Sequence, residues 1–268
     1  MTLVPADPTE TYCRQLSLHA ELLWDHELPI LASAPAFIES ETIIDLGAGN
    51  GAFGRKLAVA FPDKRFLGVE PDAAIFAVGR RSAFPPNYCY VLGGYESITG
   101  THDLLFARHV VMYVPDRPAL YAWARQRVRS AIVVSWNDAA SMIEPALPIY
   151  EAALQDALRS RADELATRYA GDRALAGTPA EWATAGFVHS GTAPIAAAVS
   201  DPDGRRLYHH VIRLSIMGMN PDAVSRALLD ELFGWSVEPG AHAVVGETYD
   251  SLHNPVLVGA EPVRAAVS

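Results

Sequence analysis

The chain has 268 residues, enough for one α/β domain with additional elements. Hydrophobic residues make up 50% of it and charged residues 19%, a balance typical of packed globular proteins and unlike that of disordered chains. The formal net charge is −10, and no run of lysines and arginines provides the basic stripe that a phosphate backbone attracts. We therefore expect no nucleic-acid partner.

The chain has too few cysteines for a disulfide framework, and the histidines of its leading segment are poorly spaced for a metal. Cys13 and Cys89 are the only cysteines, too few for a disulfide framework. His19 and His26 lie two helical turns apart, roughly 10 Å along a helix axis, so they do not share one ion. We expect no metal. The sequence also lacks a leader-like N-terminus and an apolar run of about 20 residues, so we expect a cytoplasmic protein without a membrane partner.

Alternating strands and helices are predicted after a leading helix. Helical spacing of apolar residues predicts that helix over Thr9–Ala34, with Thr9 as its N-cap, inside an N-terminal helical cap of residues 1–40. Residues 41–140 are then expected to form a parallel sheet covered on both faces. Its predicted strands are Thr42–Leu46, Arg65–Val69, Tyr88–Leu92, Asp103–Ala107 and Ala131–Ser135. Its predicted helices are Ala52–Phe61, Asp72–Arg81 and Asp116–Arg129.

The pattern becomes helical between Asn137 and Ala176, and we expect residues 141–186 to form an inserted helical lid that ends with a short helix, Thr178–Ala185. Residues 187–268 are expected to complete the same domain. They contain the turn-like run Asp201-Pro-Asp-Gly204 and a predicted helix, Pro221–Phe233. The strands predicted there are Ala193–Val199, Leu207–Ile216 with His209 and His210 on opposite faces, and Pro255–Gly259.

A glycine-rich run, Asp45-Leu-Gly-Ala-Gly-Asn-Gly51, follows the first predicted strand and opens a helix. Glycine permits a tight turn and a close ligand approach, and the helix N-terminus leaves N–H groups unpaired. The run also satisfies the dinucleotide fingerprint, with Glu70 about 20 residues on as the ribose-binding acid. Asp45 separates the two interpretations, because an acid suits the ammonium group of an amino acid better than a pyrophosphate.

The glycine-rich run resembles the first motif of class I S-adenosylmethionine-dependent methyltransferases. Phe66-Leu-Gly-Val-Glu-Pro-Asp72 is similar to the second-strand motif of that family, and the segment from His102 to Asp116 resembles its fourth motif. The resemblance covers roughly residues 40 to 135, with the motifs in order. It implies a doubly wound, Rossmann-like, mostly parallel seven-stranded α/β sheet, and S-adenosylmethionine as cofactor.

The resemblance also implies the cofactor contacts. Asp45 would hold the ammonium group, and Glu70 both ribose hydroxyls. The family often places an acid for the adenine amino group where this chain has Gly94, so Glu96 is the substitute, or Tyr95 lies against the ring. Arg108 grips the cofactor carboxylate or an acidic acceptor, or turns outward to solvent. The implied cofactor-binding residues are Asp45, Gly47, Ala48, Gly49, Asn50, Glu70, Pro71, Tyr95, Glu96, Ala107 and Arg108.

The function implied by the resemblance is methyl transfer to nitrogen, oxygen or carbon of a small-molecule acceptor, by analogy in natural product biosynthesis, in a monomer or homodimer. Tyr113 and His109 follow the fourth strand and are candidate catalytic residues, or pack at its end. Tyr12, Trp136 and Asn137 are candidates for binding the acceptor. The alternatives are a peptide or protein methyltransferase, a non-methylating S-adenosylmethionine-binding protein and a nicotinamide dehydrogenase.

Overall fold

A computed structural model describes residues 7–137, 140–160 and 177–257. The helices in these ranges are α1 (Pro8–Ser33), α2 (Pro35–Ile38), α3 (Ala52–Ala60), α4 (Ala73–Gly79), α5 (Arg117–Arg127), α6 (Pro148–Ser160), α7 (Pro179–Thr184), α8 (Pro202–Met219) and α9 (Arg226–Val237). The strands are β1 (Thr42–Leu46), β2 (Arg65–Glu70), β3 (Tyr88–Leu92), β4 (His102–Arg108), β5 (Val128–Trp136), β6 (Met142–Glu144), β7 (Val188–Val199) and β8 (His242–His253). Within this part of the chain, none of the helices combines the length and the apolar character needed to span a bilayer.

The chain divides into two compact units, each built from separate segments. The first unit contains residues 1–26, 137–167 and 195–247, and the second contains residues 27–136, 168–194 and 248–268. The motifs that follow β1, β2 and β4 all belong to the second unit. The first unit holds α6, α8 and α9, together with most of α1.

The second unit is built on a sheet whose first five strands are parallel and lie in the order β3-β2-β1-β4-β5. Ile44 of β1 lies opposite Leu67 of β2 and Leu105 of β4, so the carboxyl ends of these strands meet at one edge. The end of β8 follows β5 in the sheet, and β7 pairs with β8. The predicted α/β class with a doubly wound, mostly parallel sheet is confirmed.

Both faces of that sheet are apolar because each parallel strand is covered on two sides. On one face Ile44, Leu105 and Val133 pack in a cluster with Tyr121 of α5 and Trp182 of α7. On the other face the ring of Phe106 stacks with that of Phe53 in α3, with centroids 5.7 Å apart. The strands are therefore fixed in place by helices on both sides, and their ends can hold polar groups rigidly.

The first unit is largely helical. Gln15 of α1 donates to the hydroxyl of Ser215 in α8 at 2.8 Å. The carboxylate of Glu231 in α9 accepts hydrogen bonds from two backbone N–H groups at the start of α6, those of Ile149 and Tyr150. Strand β6 pairs antiparallel with the start of β8. Side-chain hydrogen bonds thus join the helices of this unit, and its short strand pair lies beside them in the same unit.

The largest error of the sequence prediction concerns Leu207–Ile216, which is part of helix α8 and not a strand. The run Asp201-Pro-Asp-Gly204 does not form a hairpin turn but starts that helix. Asp201 is the N-cap, and its carboxylate accepts from the N–H groups of Asp203 and Gly204. Aromatic and β-branched residues gave the segment a strand-like composition, whereas the cap and the packing of α8 on α9 and α6 decide for helix.

Other boundaries also differ from the prediction. Asp7, not Thr9, caps the first turn of α1, because its carboxylate accepts from the N–H of Thr9. A strand was predicted at Pro255–Gly259. Residues 255–257 form a turn after β8 instead, so that part of the prediction is wrong, and residues 258 and 259 lie outside the described ranges. The sheet has eight strands among the described residues, where the resemblance implied seven, and two of them were not predicted: β6 interrupts the region predicted as helical, and β8 follows the last predicted helix. Residues 161–176 of that region lie outside the described residues.

Candidate functional site

The turn from β1 to α3 depends on glycine. Gly47, Gly49 and Gly51 have φ values of 60°, 57° and 71°, in the left-handed region where side chains are strained. A Cβ at Gly47 would lie 2.2 Å from Cγ2 of Val110. Ala48 donates to the carbonyl of Val69 at 3.0 Å, which ties the loop to β2. The loop therefore places bare backbone at the carboxyl edge of the sheet, where a ligand can approach closely.

Glu70 ends β2 and braces the glycine loop. Its Oε2 accepts from the N–H of Gly49 and its Oε1 from the N–H of Asp72, both at 2.9 Å. Burial raises the pKa of Glu70 to about 7, against the lowering effect of these two hydrogen bonds. The carboxylate is held in one orientation, and near pH 7 its charged and neutral forms are populated about equally.

Asp45 is buried at the end of β1 and contacts a residue that no motif indicated. The hydroxyl of Tyr88 in β3 donates to Oδ2 of Asp45 at 2.6 Å. Tyr88 reaches it because Gly54 and Gly68 leave room for the ring, where a Cβ on either would lie 2.1–2.3 Å from Tyr88 atoms. Burial raises the pKa of Asp45 to about 6, while the Tyr88 hydrogen bond and the charge of Arg108 lower it.

Aromatic side chains from β3 and the segment before it support the loop. Tyr90 donates its hydroxyl to the carbonyl of Gly49, and Phe84 stacks on both Tyr88 and Tyr90. Arg55 donates to the carbonyl of Asn50 at 2.9 Å, while the amide oxygen of Asn50 accepts from the N–H of Ala52 at 3.1 Å. Residues beyond the predicted motif thus fix the loop conformation.

The loop after β3 carries the candidates for an adenine contact. Gly93 donates to the carbonyl of Glu70 at 3.0 Å, which brings this loop beside the end of β2. Tyr95 and Glu96 follow in a short 3₁₀ turn, where Glu96 is exposed and the ring of Tyr95 lies 5.5 Å from that of Trp123. Pro71 is exposed at the neighbouring turn. The structure places these candidates along the same edge as Glu70.

Arg108 ends β4 in a buried ion pair. Its Nε and Nη2 donate to the carboxylate of Glu27, with Nε 2.9 Å from Oε2 and Nη2 2.5 Å from Oε1. Tyr249 of β8 also donates to Glu27, and the guanidinium lies over the ring of Phe53 at 4.5 Å. The Arg108 side chain is 11% exposed and that of Glu27 0%, so the outward-turned alternative for Arg108 is wrong. Ala107, the preceding residue, is fully buried.

His109 follows Arg108 in an unusual backbone conformation. Its φ is 53°, the one positive value found at a non-glycine residue in the described ranges, and its N–H donates to the carbonyl of Val134 at 2.9 Å. The imidazole stacks on Trp136 with ring centroids 4.1 Å apart. Burial, then the charge of Arg108, lowers the pKa of His109 well below its usual value. Tyr113 lies in the next 3₁₀ turn with its side chain exposed.

The remaining predicted residues belong to the first unit. Tyr12 is exposed on α1, and the N–H of Asn137 donates to the carbonyl of Gly246 at 2.9 Å. The second unit thus brings together the cofactor candidates with His109, Tyr113 and Trp136. Sequence reasoning missed Tyr88, Glu27 and Tyr249. Glu27 could have been found because it is an acidic residue on the apolar face of α1. No local sequence pattern distinguished Tyr88 or Tyr249.

A curated relative shares part of this sequence. The chain is 30% identical over 93 residues to the trans-aconitate 2-methyltransferase of Deinococcus radiodurans. The resemblance to methyltransferases is confirmed. The match covers 35% of this chain, and the chain spans 36% of the length of that relative, about a third. No family model matches the chain.

Solved structures of methyltransferases and related enzymes are similar over most of the chain. A candidate sarcosine dimethylglycine methyltransferase from Galdieria sulphuraria is 14% identical, with 88% of this chain and 85% of that one covered and a TM-score of 0.49. The cyclopropane synthase MmaA2 from Mycobacterium tuberculosis is 15% identical, with 80% and 78% covered and a TM-score of 0.46.

Proposed function

We propose that the chain transfers a methyl group from S-adenosylmethionine to a small-molecule acceptor. The observation that carries the proposal is the pair of buried carboxylates, Asp45 and Glu70, held at a left-handed glycine loop on the carboxyl edge of a parallel sheet. Burial raises the pKa values of both acids, so their charged forms are stabilised by a ligand that supplies positive charge and hydrogen-bond donors. A pyrophosphate would add negative charge there, which disfavours a dinucleotide.

The residues present fit this cofactor. Glu70 is positioned by two backbone N–H groups, and its carboxylate has lone pairs left for ribose hydroxyls. Asp45 would hold the ammonium group, and the backbone of Gly47, Ala48 and Gly49 would lie against the methionine half of the cofactor. Tyr95 or Glu96, beside the end of β2, would contact the adenine. When bound, the cofactor supplies an electrophilic methyl group on a sulfonium.

The chain's own contribution to catalysis is positioning and, for acceptors that must lose a proton, a base. Holding the acceptor in line with the methyl group accounts for most of the rate. Burial and the charge of Arg108 keep the imidazole of His109 neutral, so a ring nitrogen is free of its extra proton, but the same lowered pKa makes His109 a weak base. Tyr113 lies in the 3₁₀ turn that follows His109, has an exposed side chain and is the second candidate.

A small acceptor is supported by two observations. The relative from Deinococcus radiodurans is named for trans-aconitate, a small metabolite. The chain's net charge of −10 disfavours a nucleic-acid acceptor. A role in natural product biosynthesis is part of the proposal and rests on the family resemblance alone.

Calorimetric titration with S-adenosylhomocysteine tests the cofactor site. We expect Asp45→Ala to abolish measurable binding because it removes the partner of the ammonium group. Asp63→Ala, which removes an exposed acid, is the matched control and should bind as wild type does. Unchanged affinity in the Asp45 variant, or binding of NAD in place of S-adenosylhomocysteine, would refute the assignment. Release of S-adenosylhomocysteine with a panel of small acceptors then tests turnover.

A further inference from the structure

The first unit carries a cluster of four basic side chains outside the site described above. Arg14 projects from α1, and His209, His210 and Arg213 project from α8. The hydrogen bond between Gln15 and Ser215, each a near neighbour in sequence of a cluster member, joins these two helices. Both histidines lie within one helical turn of Arg213, and their rings stack with centroids 4.9 Å apart. The four groups therefore lie near the place where this hydrogen bond joins α1 to α8.

The surroundings of this basic cluster disfavour its positive charge. Burial and neighbouring cations lower the pKa values of His209, His210 and Arg213, to about 4 for His209. The cations that lower these pKa values are His210, Arg213 and Arg14, all members of the cluster. Among the described residues, Nδ1 of His210 and Nε of Arg213 are buried and have no hydrogen-bond partner. Leaving such groups unsatisfied costs free energy, because they give up hydrogen bonds to water without gaining a partner in the protein.

Like charges collected in this way are unexpected in a chain with a net charge of −10. An acidic protein has many carboxylates available for pairing, and α8 uses one elsewhere, where Arg206 pairs with Asp203. Arg213 and the histidines are instead half-buried or buried beside each other. An anion placed among them would satisfy the buried donors and convert mutual repulsion into attraction.

We propose that the basic cluster of Arg14, His209, His210 and Arg213 is a binding site for a small anion bearing carboxylate or phosphate groups. The guanidinium fork of Arg213 matches both groups in geometry, and the imidazoles donate to the same oxygens. The site is independent of the proposed methyl transfer. Its ligand can be measured without the cofactor and without turnover, so failure of either proposal leaves the other standing.

Calorimetry on the full chain at low ionic strength tests the site, with citrate and inorganic phosphate titrated separately as probes. We expect wild type to bind at least one of them, and the dissociation constant to rise at least tenfold in Arg213→Gln. Arg206→Gln removes one positive charge from the same helix outside the cluster and should keep wild-type affinity. The stronger of the two probes identifies carboxylate or phosphate as the natural group.

A second variant and a direct readout cover the case in which Arg213→Gln misfolds. Arg14 is exposed, so Arg14→Gln should fold and should also weaken binding several-fold. NMR titration of the imidazole signals should show that the bound probe raises the pKa of His210. The proposal is overturned if neither probe binds, if Arg206→Gln weakens binding as much as the cluster variants do, or if the histidine signals do not respond.

Discussion

Tyr88 fills a space that Gly54 and Gly68 leave open beside Asp45, and its hydroxyl is bonded to that carboxylate. The two acids at the glycine loop, Asp45 and Glu70, have pKa values raised to about 6 and about 7. The ordinary values are 3.8 and 4.5, so these two acids reduce the stability of the fold as pH rises from about 4 to about 7. A cationic ligand offsets this cost. Proton binding by Asp45 and Glu70 is therefore linked to cofactor binding.

We expect the affinity for S-adenosylhomocysteine to increase with pH from 5 to 8 and to level off above. Protonated Asp45 and Glu70 lose the charge and the acceptor lone pairs that the ligand needs, so binding at pH 5 should be at least about tenfold weaker than at pH 8. Calorimetry across this range measures it. Asp45→Asn should remove the lower part of the dependence, and a flat wild-type profile would contradict the expected linkage.

Tyr88→Phe is expected to move that pH dependence upward. The ring still fills the space beside the two glycines, but Asp45 loses the hydrogen bond that lowers its pKa. The midpoint for Asp45 should therefore rise, and affinity at pH 6 should fall more than affinity at pH 8. The control is Tyr208→Phe, which replaces a half-buried tyrosine of the first unit. Identical profiles for wild type and Tyr88→Phe would remove Tyr88 from the cofactor site.

The variant His109→Gly distinguishes the role of the imidazole from that of the unusual backbone conformation at this position. Glycine adopts a φ of 53° without penalty, so the variant keeps the loop while removing the ring that stacks on Trp136. If the imidazole takes the acceptor's proton, turnover should fall by roughly 10²–10⁴-fold with little change in cofactor affinity. Steady-state kinetics beside calorimetry measures both quantities. Full activity in this variant and in Tyr113→Phe would leave positioning as the whole mechanism.

At the scale of elements, the sequence was informative where structure is local. Strands β1 and β3 were predicted with their observed bounds, and the glycine loop was located because its residues are consecutive. Helix α8 was missed because its composition resembles that of a strand, whereas the packing on α9 and α6 that favours a helix is not visible in the local sequence pattern. The bond from Tyr249 to Glu27 joins residues 222 positions apart, and no local pattern reports it.

The start of α8 provides a test of what fixes that helix. The Asp201 carboxylate accepts from two N–H groups of the first turn, so Asp201→Ala should lower the free energy of unfolding by about 1 kcal/mol, within a range of roughly 0.5–2. Urea unfolding measures the change. Asp203→Ala removes only an exposed pair with Arg206 and should change stability much less. Equal losses would mean that the cap is not what stabilises the helix.

At the scale of the whole molecule, the two units are built from interleaved segments of one chain. Strand β8 begins in the first unit, where it pairs with β6, and ends in the second, where it follows β5 in the sheet. Tyr249 and Leu252 are buried near its end. One strand therefore completes both units.

A chain that stops before His242 should not unfold cooperatively. It lacks the partner of β6 and the strand beside β5, together with the buried side chains that β8 contributes. Urea unfolding followed by circular dichroism and tryptophan fluorescence tests this. A chain ending at Leu257 keeps every described element and serves as the control. A cooperative transition of the shorter chain with the slope of the control would show that β8 is dispensable.

The position of β8 also has a consequence for synthesis on the ribosome. Strand β5 ends at Trp136, but its neighbour in the second unit is made only when residues 248–253 emerge. At roughly 5–20 residues per second, the outer edge of β5 stays open for several seconds or longer. An open edge offers unpaired backbone groups to other nascent chains. The growing chain should therefore depend on a chaperone that covers β5 until translation reaches its partner.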